Sequence, residues 1–456
     1  MDSHLAYILQ LTALNFQTPR ENWAEGAEGA EGAEGAEGAG GAGGAEEVSP
    51  TSLSSLSSLS PLPLCPSAPL RIFISTGEVS GDLQGALLIE ALQRLARISN
   101  WQLEIVALGG SRMAAAGATI LGNTTSIGSI GLFESLAYIF PTLKIQRRAK
   151  EYLQQYPPDL VVLIDYMGPN LVISSYLRQV APQVPIVYFI APQEWVWSLS
   201  PQNTQRLVNT TDRLLAIFPE EARYFQKNGA KVVWVGHPIV DRMQGFPKRE
   251  TARAALGIKS DQIAIALIPA SRRQELKYVL PPMFQAAKII QEKFPQVYFW
   301  IPLSLETYRQ PIEQAIQDYG IKATLVADKT KEVLASADLA IAKSGTVNLE
   351  LALLDVPQVV IYRVNPLTAW IARKVLKFSI PFMSPPNLVE MKSIVPELLQ
   401  EQATPENIVR EALQLLEPTQ RQKTLAEYRQ MRQALGEIGA CDRAAKEILA
   451  ILNSRF

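Results

Sequence analysis

The sequence is poor in the residues that build metal centres and disulfide frameworks. Its 456 residues include only two cysteines, Cys65 and Cys441, and two histidines, His4 and His237. Two cysteines cannot form a disulfide framework, and they do not form a Cys-x-x-Cys metal site. A centre with several histidine ligands is excluded as well. This cysteine usage is typical of a protein that works in a reducing cytoplasm.

Several signatures of nucleic-acid, membrane and nucleotide proteins are also missing. Lys and Arg total 43 against 44 Asp and Glu, so no overall positive field would attract nucleic acid. No stretch approaches about 18 uninterrupted apolar residues, so no transmembrane helix is expected. The chain contains neither a GxxxxGK[ST] phosphate loop, nor GxGxxG after a strand, nor an Asp-x-Asp pair. These absences argue against P-loop NTPases, Rossmann dehydrogenases and metal-held nucleotide diphosphates.

The first 69 residues have the composition of an extension rather than of a folded domain. Five Ala-Glu-Gly triplets run from Ala24 to Gly38, and a Ser/Pro-rich linker follows. Such segments cannot bury a hydrophobic core. The apolar start of the chain lacks a basic region and matches a secretory signal poorly. We therefore expect residues 1–69 to be a disordered, low-complexity extension.

Short β-branched apolar runs begin at Leu70 and alternate with helix-like stretches. Continuous apolar runs are typical of strands covered on both faces, and strand–helix–strand repetition indicates a parallel sheet. The rhythm breaks after His237, where Gly, Pro and charged residues accumulate, and then resumes. We predict an α/β protein with two doubly wound, Rossmann-like sheets, in domains 70–240 and 250–403, followed by helices over 404–456.

Candidate functional residues of the first domain come directly after its strands. Ligands favour the carboxyl ends of parallel strands, at the crevice between two such domains. Glu78, Ser80 and Asp82 share the turn after the first strand, where Ser80 or Asp82 could equally cap the next helix. Asp165 follows the run DLVVLID and either accepts a proton from an attacking hydroxyl or caps a helix. Trp195 and His237 are more often structural at such positions.

The second domain offers two turns suited to anions. Arg272 precedes a helix, and Ser344, Gly345 and Thr346 lie at the start of another, with Glu350 one turn later. Helix N-termini and guanidinium groups attract diphosphates, and a carboxylate can accept hydrogen bonds from ribose hydroxyls. Ordinary helix capping is the alternative at each turn. Taken together, the two turns favour a metal-free glycosyltransferase that uses a nucleotide sugar.

A longer series of motifs resembles one family over about residues 70–450. The series includes RIFISTGEVSGDLQGALL, GGSRMAAAG, VLIDYMGPN, APQEWVW, FPEEARYF, VGHPIVD, LIPASRRQEL and KSGTVNLELALLDVPQVVIYR, and it ends at PPNLVEMKSIVPELLQEQATPENI. In this order the motifs are similar to the lipid-A-disaccharide synthases, which have the two-domain GT-B architecture. The resemblance implies that the C-terminal helices cross back over the domains and that a homodimer is possible.

The resemblance also implies a reaction and a set of site residues. A diacylglucosamine would pass from UDP, with inversion, to the 6-hydroxyl of a diacylglucosamine 1-phosphate, without a cofactor or a metal. Asp165 is then the candidate general base, and the loop from Glu78, the second catalytic candidate, to Asp82 lines the acceptor. Arg272 would contact the diphosphate of UDP. The remaining predicted substrate-binding residues are Ser344, Gly345, Thr346, Glu350, Asn387, Glu397 and Gln400.

Acylated substrates imply work at a membrane surface. The stretches SIGLFESLAYIFPTLKIQRRAK and LTAWIARKVLKFSIPF mix aromatic, aliphatic and basic residues. Such stretches can lie in a bilayer interface, although a buried amphipathic helix is the commoner structure. We expect a cytoplasmic protein peripherally associated with the inner membrane, and no nucleic-acid partner.

One departure from the family pattern keeps other functions open. The family usually has Ile-Asp-x-Pro-Asp-Phe-Asn at the acidic motif, and here Met167, Gly168 and Pro169 replace Pro-Asp-Phe. Without the second acidic side chain, another GT-B enzyme acting on UDP-N-acetylglucosamine is the alternative, either an epimerase or a transferase with a different lipid acceptor. A catalytically inactive relative ranks last, because Asp165, Arg272 and Glu350 are all present.

Overall fold

A computed structural model describes residues 68–77, 79–125, 139–196, 201–270, 273–374 and 380–455. Nearly all of the N-terminal extension therefore lies outside the described residues, and so do Glu78, Ser271 and Arg272. Parts of both stretches considered for membrane contact, residues 126–138 and 375–379, lie outside them too.

The N-terminal lobe is built on a seven-stranded sheet with the order β3-β2-β1-β4-β5-β6-β7. All of its strand pairs are parallel. Every residue of the central strand β4, Leu160–Ile164, is buried, as expected where helices cover both faces of a sheet. The strands are β1 (Leu70–Ser75), β2 (Leu103–Gly109), β3 (Thr119–Asn123), β4, β5 (Ile186–Phe189), β6 (Arg213–Ala216) and β7 (Val232–Trp234). The helices are α1 (Val79–Ile98), α2 (Ser111–Ala115), α3 (Ile139–Gln155), α4 (Met167–Val180), α5 (Pro201–Thr210) and α6 (Pro219–Lys227).

The C-terminal lobe repeats this plan with a six-stranded sheet of order β10-β9-β8-β11-β12-β13. Its strand pairs are again parallel. The strands are β8 (Ile263–Ile268), β9 (Val297–Pro302), β10 (Ala323–Val326), β11 (Leu339–Lys343), β12 (Gln358–Tyr362) and β13 (Glu397–Leu399). The helices from the connector to β13 are α7 (Ile239–Met243), α8 (Arg249–Leu256), α9 (Arg273–Tyr278), α10 (Leu280–Lys293), α11 (Arg309–Tyr319), α12 (Thr330–Ser336), α13 (Val347–Leu353), α14 (Pro366–Lys374) and α15 (Pro385–Glu390). The two parallel sheets confirm the predicted α/β fold class.

Three C-terminal helices, α16 (Pro405–Leu416), α17 (Pro418–Leu435) and α18 (Ala440–Asn453), tie the lobes together. Helix α16 packs on α10 of the second lobe, and α18 returns to lie along α1 of the first lobe. One cluster of buried side chains accordingly contains Ile164 from the first sheet, Leu349 from α13 and Ile448 from α18. The C-terminal helices thus cross back over the lobes, as the family resemblance implied.

No helix within the described residues is long and apolar enough to cross a bilayer.

Candidate functional site

Loops at the carboxyl edges of the two sheets contact each other, at the place where the sequence predicts a crevice. Val196, in the loop after β5, packs against a buried cluster in the second lobe that contains Val364, after β12, and Leu399, at the end of β13. Backbone at these edges is not committed to a strand ladder and is available to ligands.

Asp165 lies at this edge in an unusual backbone conformation. It is half-buried, and both Asp165 and Tyr166 have left-handed backbones, with φ of 46° and 52°. The Asp165 carbonyl oxygen accepts hydrogen bonds from Tyr188 Oη at 2.7 Å and from Asn170 Nδ2 at 2.7 Å. Its backbone N–H donates to the Ile190 carbonyl at 2.9 Å. Two successive non-glycine residues in this region store strain that surrounding contacts must hold, which is common at functional sites.

Asn170 is a candidate site residue that the sequence analysis did not single out. It is fully buried, and its Oδ1 accepts a hydrogen bond from Ser75 Oγ at 2.7 Å. Its Nδ2 also lies 3.2 Å from the Ile164 carbonyl oxygen. Asn170 therefore joins the end of β1 to the end of β4 and supports Asp165 from below. Its place in the motif VLIDYMGPN was the available signal.

The turn after β1 is closely packed around Thr76. Ser80 is exposed, whereas Asp82 is buried and accepts backbone N–H bonds from Gly110, Arg112 and Met113, at 2.7 to 3.2 Å. Asp82 thus caps α2 rather than its own helix. A Cβ at position 81 would lie 1.8 Å from Thr76 Oγ1, so glycine is required there. The buried Thr76 Oγ1 has no hydrogen-bond partner in the part of the chain that the structure describes.

Two buried carboxylates near this edge were also missed. Glu194, in the loop after β5, is 3 % exposed and lies 3.4 Å from Thr204 Oγ1. Glu221, in α6, accepts backbone N–H bonds from Ala191, Ile217 and Phe218. Burial raises the pKa of Glu221 to about 7, although these hydrogen bonds oppose the shift. Glu194 and Glu221 each follow a strand, in the motifs APQEWVW and FPEEARYF, but no local sequence pattern shows that either carboxylate is buried.

His237 stands where the first lobe ends. Its Nδ1 accepts the Ile239 backbone N–H at 3.0 Å, which assigns the ring proton of the neutral form to Nε2. The ring packs on Phe218 with centroids 5.1 Å apart, and Phe218 in turn packs on Trp195. Burial lowers the pKa of His237 to about 3, so the ring is uncharged at neutral pH.

In the second lobe, the turn before α13 is held by its own hydrogen bonds. Ser344 Oγ donates to the Met383 carbonyl at 2.9 Å, and the Gly345 N–H donates to Asn348 Oδ1 at 2.7 Å. Thr346 is exposed to solvent. Lys343 Nζ lies 3.8 Å from Glu275 Oε1, so part of its charge is neutralised within the protein.

Glu350 sits at the boundary between the lobes. Its side chain is 5 % exposed and pairs with Arg242 of the connector helix α7. Burial raises the pKa of this carboxyl group, and the charge of Arg242 opposes the rise. The residue predicted to contact ribose is therefore also an anchor between the connector and the second lobe.

Asn387, Glu397 and Gln400 lie around β13, the last strand of the second sheet. Asn387 donates to the Val395 carbonyl and to Glu397 Oε1, and it accepts from the Ile394 and Val395 N–H groups. Glu397 also accepts from the backbone of Met383 and from Ser384, and burial raises its pKa.

Gln400 differs from these two because it retains an unused donor. Its Oε1 lies 3.4 Å from the Val364 backbone nitrogen, and its buried Nε2 has no hydrogen-bond partner among the described residues. Its backbone is left-handed, with φ of 48°.

Within the described residues, no group of three or more His, Cys, Asp and Glu side chains could hold a metal ion.

Comparison with known proteins identifies the family. The family profile described as lipid-A-disaccharide synthetase matches residues 72–451. The lipid-A-disaccharide synthase of Gloeothece citriformis is 63 % identical over 381 residues, which cover 83 % of this chain and 99 % of that protein. The corresponding protein of Synechocystis is 54 % identical over 389 residues, covering 85 % and 99 %.

Solved structures with the same fold are more distant in sequence. A complex of S. aureus MnaA with UDP matches with a TM-score of 0.60 at 16 % identity, covering 84 % of this chain and 97 % of that one. A putative UDP-N-acetylglucosamine 2-epimerase from Listeria monocytogenes matches with a TM-score of 0.58 at 17 % identity, covering 85 % of this chain and 97 % of that one. These likenesses support the two-lobed fold alone. The profile match and the close relatives show that the chain belongs to the lipid-A-disaccharide synthase family, whose members are glycosyltransferases.

Proposed function

We propose that this protein transfers 2,3-diacylglucosamine from UDP to the 6-hydroxyl of 2,3-diacylglucosamine 1-phosphate, giving lipid A disaccharide 1-phosphate and UDP. The observation that carries the proposal is the family match over residues 72–451. That match includes both crevice edges and the loop that holds Asp165.

The proposed chemistry is a single displacement with inversion. The acceptor oxygen attacks the anomeric carbon while the bond from that carbon to the UDP oxygen breaks. Asp165 takes the hydroxyl proton, and UDP leaves with the bonding electrons. The half-buried position of Asp165 at the crevice edge supports this role. Glu78 lies outside the described residues and remains a candidate from sequence.

The hydrogen bonds of the predicted binding residues suggest two kinds of role. An amide group makes four hydrogen bonds at most with good geometry, and Asn387 makes four within the protein. Asp82 and Glu397 are likewise engaged with backbone N–H groups. We assign these three to shaping the site.

Direct contact with the substrates is proposed for the other candidates. Ser80 and Thr346 are exposed, and Gln400 Nε2 has no hydrogen-bond partner among the described residues. Ser344 and Gly345 lie beside Thr346, while Glu350 would accept from ribose with Arg242 beside it. Arg272, outside the described residues, would neutralise the departing diphosphate, as the sequence predicts.

A synthesis assay tests the proposal. Purified protein is mixed with UDP-2,3-diacylglucosamine and 2,3-diacylglucosamine 1-phosphate, and the disaccharide is measured by mass spectrometry. We expect the disaccharide and an equal amount of UDP. Turnover of plain UDP-N-acetylglucosamine with no product from the acylated donor would instead favour the other GT-B functions.

The Asp165→Asn variant tests the assignment of the base. Asparagine cannot accept the proton, so we expect kcat to fall by about 10²–10⁴-fold while UDP binding is retained. Unchanged turnover would overturn the role of Asp165.

Peripheral membrane association is the second part of the proposal. Phe140 is 81 % exposed and Trp370 56 % exposed, each on a helix with basic residues nearby. Aromatic side chains beside lysine and arginine suit the interface of an anionic bilayer. We expect Phe140→Ser and Trp370→Ser to reduce sedimentation of the protein with anionic lipid vesicles, which stand in for the inner membrane. The control variant Ile98→Ser, at a 75 % exposed position on α1, should sediment like the wild type.

Dimerisation remains a prediction from the family resemblance, and sedimentation velocity of the purified chain tests it.

A further inference from the structure

Glu221 is a fully buried carboxylate that accepts three backbone N–H bonds at the carboxyl edge of the first sheet. Its Oε1 accepts from Ala191, after β5, at 2.8 Å. Its Oε2 accepts from Ile217 and Phe218, after β6, at 2.8 and 3.1 Å. One side chain therefore joins the carboxyl ends of two neighbouring strands. The side chain is 1 % exposed and is not itself placed to touch a substrate.

The backbone that Glu221 holds leads directly to Asp165. Ile190 precedes Ala191, and its carbonyl oxygen accepts the Asp165 N–H at 2.9 Å. Ile190 has φ of 62°, a left-handed conformation that a β-branched residue rarely adopts. Such a conformation persists only where its neighbours hold it. The Ile190 N–H donates to the Leu215 carbonyl, and Glu221 fixes the next residue.

From these contacts we propose that Glu221 is a positioning residue for Asp165. Its carboxylate holds the backbone at Ile190 and Ala191, and this backbone sets where the Asp165 side chain stands in the crevice. The inference rests on the proposed function, in which Asp165 accepts the proton.

The chemistry of the three donors explains why a carboxylate is needed. Two carboxylate oxygens can accept all three N–H bonds, whereas glutamine has one acceptor oxygen and an NH₂ group that cannot accept. Glu221→Gln therefore loses at least one of the bonds while keeping the size of the side chain. Glu220→Gln is the matched control, because the neighbouring Glu220 pairs at the surface with Arg223.

The first measurement separates kcat from binding. For Glu221→Gln we expect kcat to fall by about 10- to 100-fold, since a small misplacement of a reacting group has effects of this size. The Kd for UDP should stay within about twofold, because the proposed nucleotide site lies in the other lobe. Glu220→Gln should match the wild type in both. A kcat for Glu221→Gln equal to that of the control overturns the inference.

The second measurement asks whether Glu221 acts through Asp165. In the Asp165→Asn background, Glu221→Gln should change kcat by less than about threefold, because the group that it positions is already disabled. Fully multiplicative losses would overturn the inference and leave the proposed base intact. Full turnover by Asp165→Asn alone would overturn both.

A further variant covers poor folding of Glu221→Gln. Glu221→Asp keeps both acceptor oxygens on a shorter side chain, and we expect a lower kcat with UDP binding retained. Loss of UDP binding in parallel with kcat in this variant would indicate general unfolding and overturn the positioning role.

Discussion

Two buried titratable residues, Glu221 and His237, have opposite pKa shifts at the edge of the first sheet. Burial raises the pKa of Glu221 to about 7 and lowers that of His237 to about 3. The two residues share a neighbour, since Phe218 packs on the His237 ring and donates its N–H to Glu221. Burial therefore makes the charged form of each group less favourable in the folded chain than in the unfolded chain, where water solvates it.

These shifts predict opposite pH dependences between pH 4.5 and 6.5. In the unfolded chain His237 has an ordinary pKa of 6.5 and binds a proton in this range, whereas in the folded chain it stays neutral. The contribution of His237 to stability therefore falls as the pH falls. Unfolded Glu221, with an ordinary pKa of 4.5, releases a proton that the folded form keeps up to about pH 7, so its contribution falls as the pH rises. Each slope is about 1.4 kcal/mol per pH unit.

Urea denaturation at several pH values measures both slopes. Relative to the wild type, His237→Asn should become more stable as the pH falls from 6.5 to 4.5, and Glu221→Gln should become more stable as it rises. Differences from the wild type that stay constant with pH would contradict the prediction.

At the scale of elements, the connector helix α7 is joined to the last helix, α18. The Asp241 carboxylate of α7 accepts N–H bonds from Gly439, Ala440 and Cys441, which caps α18 from a distant part of the chain. Arg443 in α18 donates back to the Val235 carbonyl at 2.8 Å. Helix α18 covers α1, so its first turn matters for the core of the first lobe.

Asp241→Ala should lower the free energy of unfolding by about 0.5–2 kcal/mol, as is usual for the loss of a helix cap. Asp442→Ala is the control, because Asp442 lies in the same turn but forms a partly exposed pair with Arg94. Such a pair contributes about 0–1 kcal/mol. Urea denaturation measures the free energy of unfolding of both variants. Equal decreases would show that the Asp241 cap stabilises the protein no more than the surface ion pair does.

At the scale of the whole molecule, the lobes share buried side chains and a connector. Residues from the first sheet, from α13 and from α18 belong to one cluster, and Arg242 pairs with Glu350 across the boundary. A ligand that binds the folded second lobe therefore stabilises the molecule as a unit.

UDP at one hundred times its Kd should raise the free energy of unfolding by about 2.7 kcal/mol in a single transition. EDTA should leave this gain unchanged, since the proposed site uses guanidinium and backbone groups. Uridine at the same concentration should give a smaller gain because it lacks the diphosphate. Circular dichroism during urea denaturation measures all three. A UDP effect that disappears with EDTA, or that moves one of two separate transitions, would contradict this view.

The sequence by itself determined the two sheets and the family, and it placed the proposed site residues in turns that follow strands. Apolar runs without alternation are local signals of covered parallel strands, and the position of a residue such as Asp165 after a strand follows directly. The motifs of the family are contiguous as well, so they can be recognised without coordinates.

Only the tertiary structure decided which polar side chains the protein itself engages. Asn170 meets Ser75 across 95 positions of sequence, and Glu350 meets Arg242 across 108. The carboxylate of Glu221 became interpretable only when its three backbone donors, from two different loops, were in place. The Asn170–Ser75, Glu350–Arg242 and Glu221–Ala191 contacts join residues 30 to 108 positions apart, so no local pattern of residues encodes them.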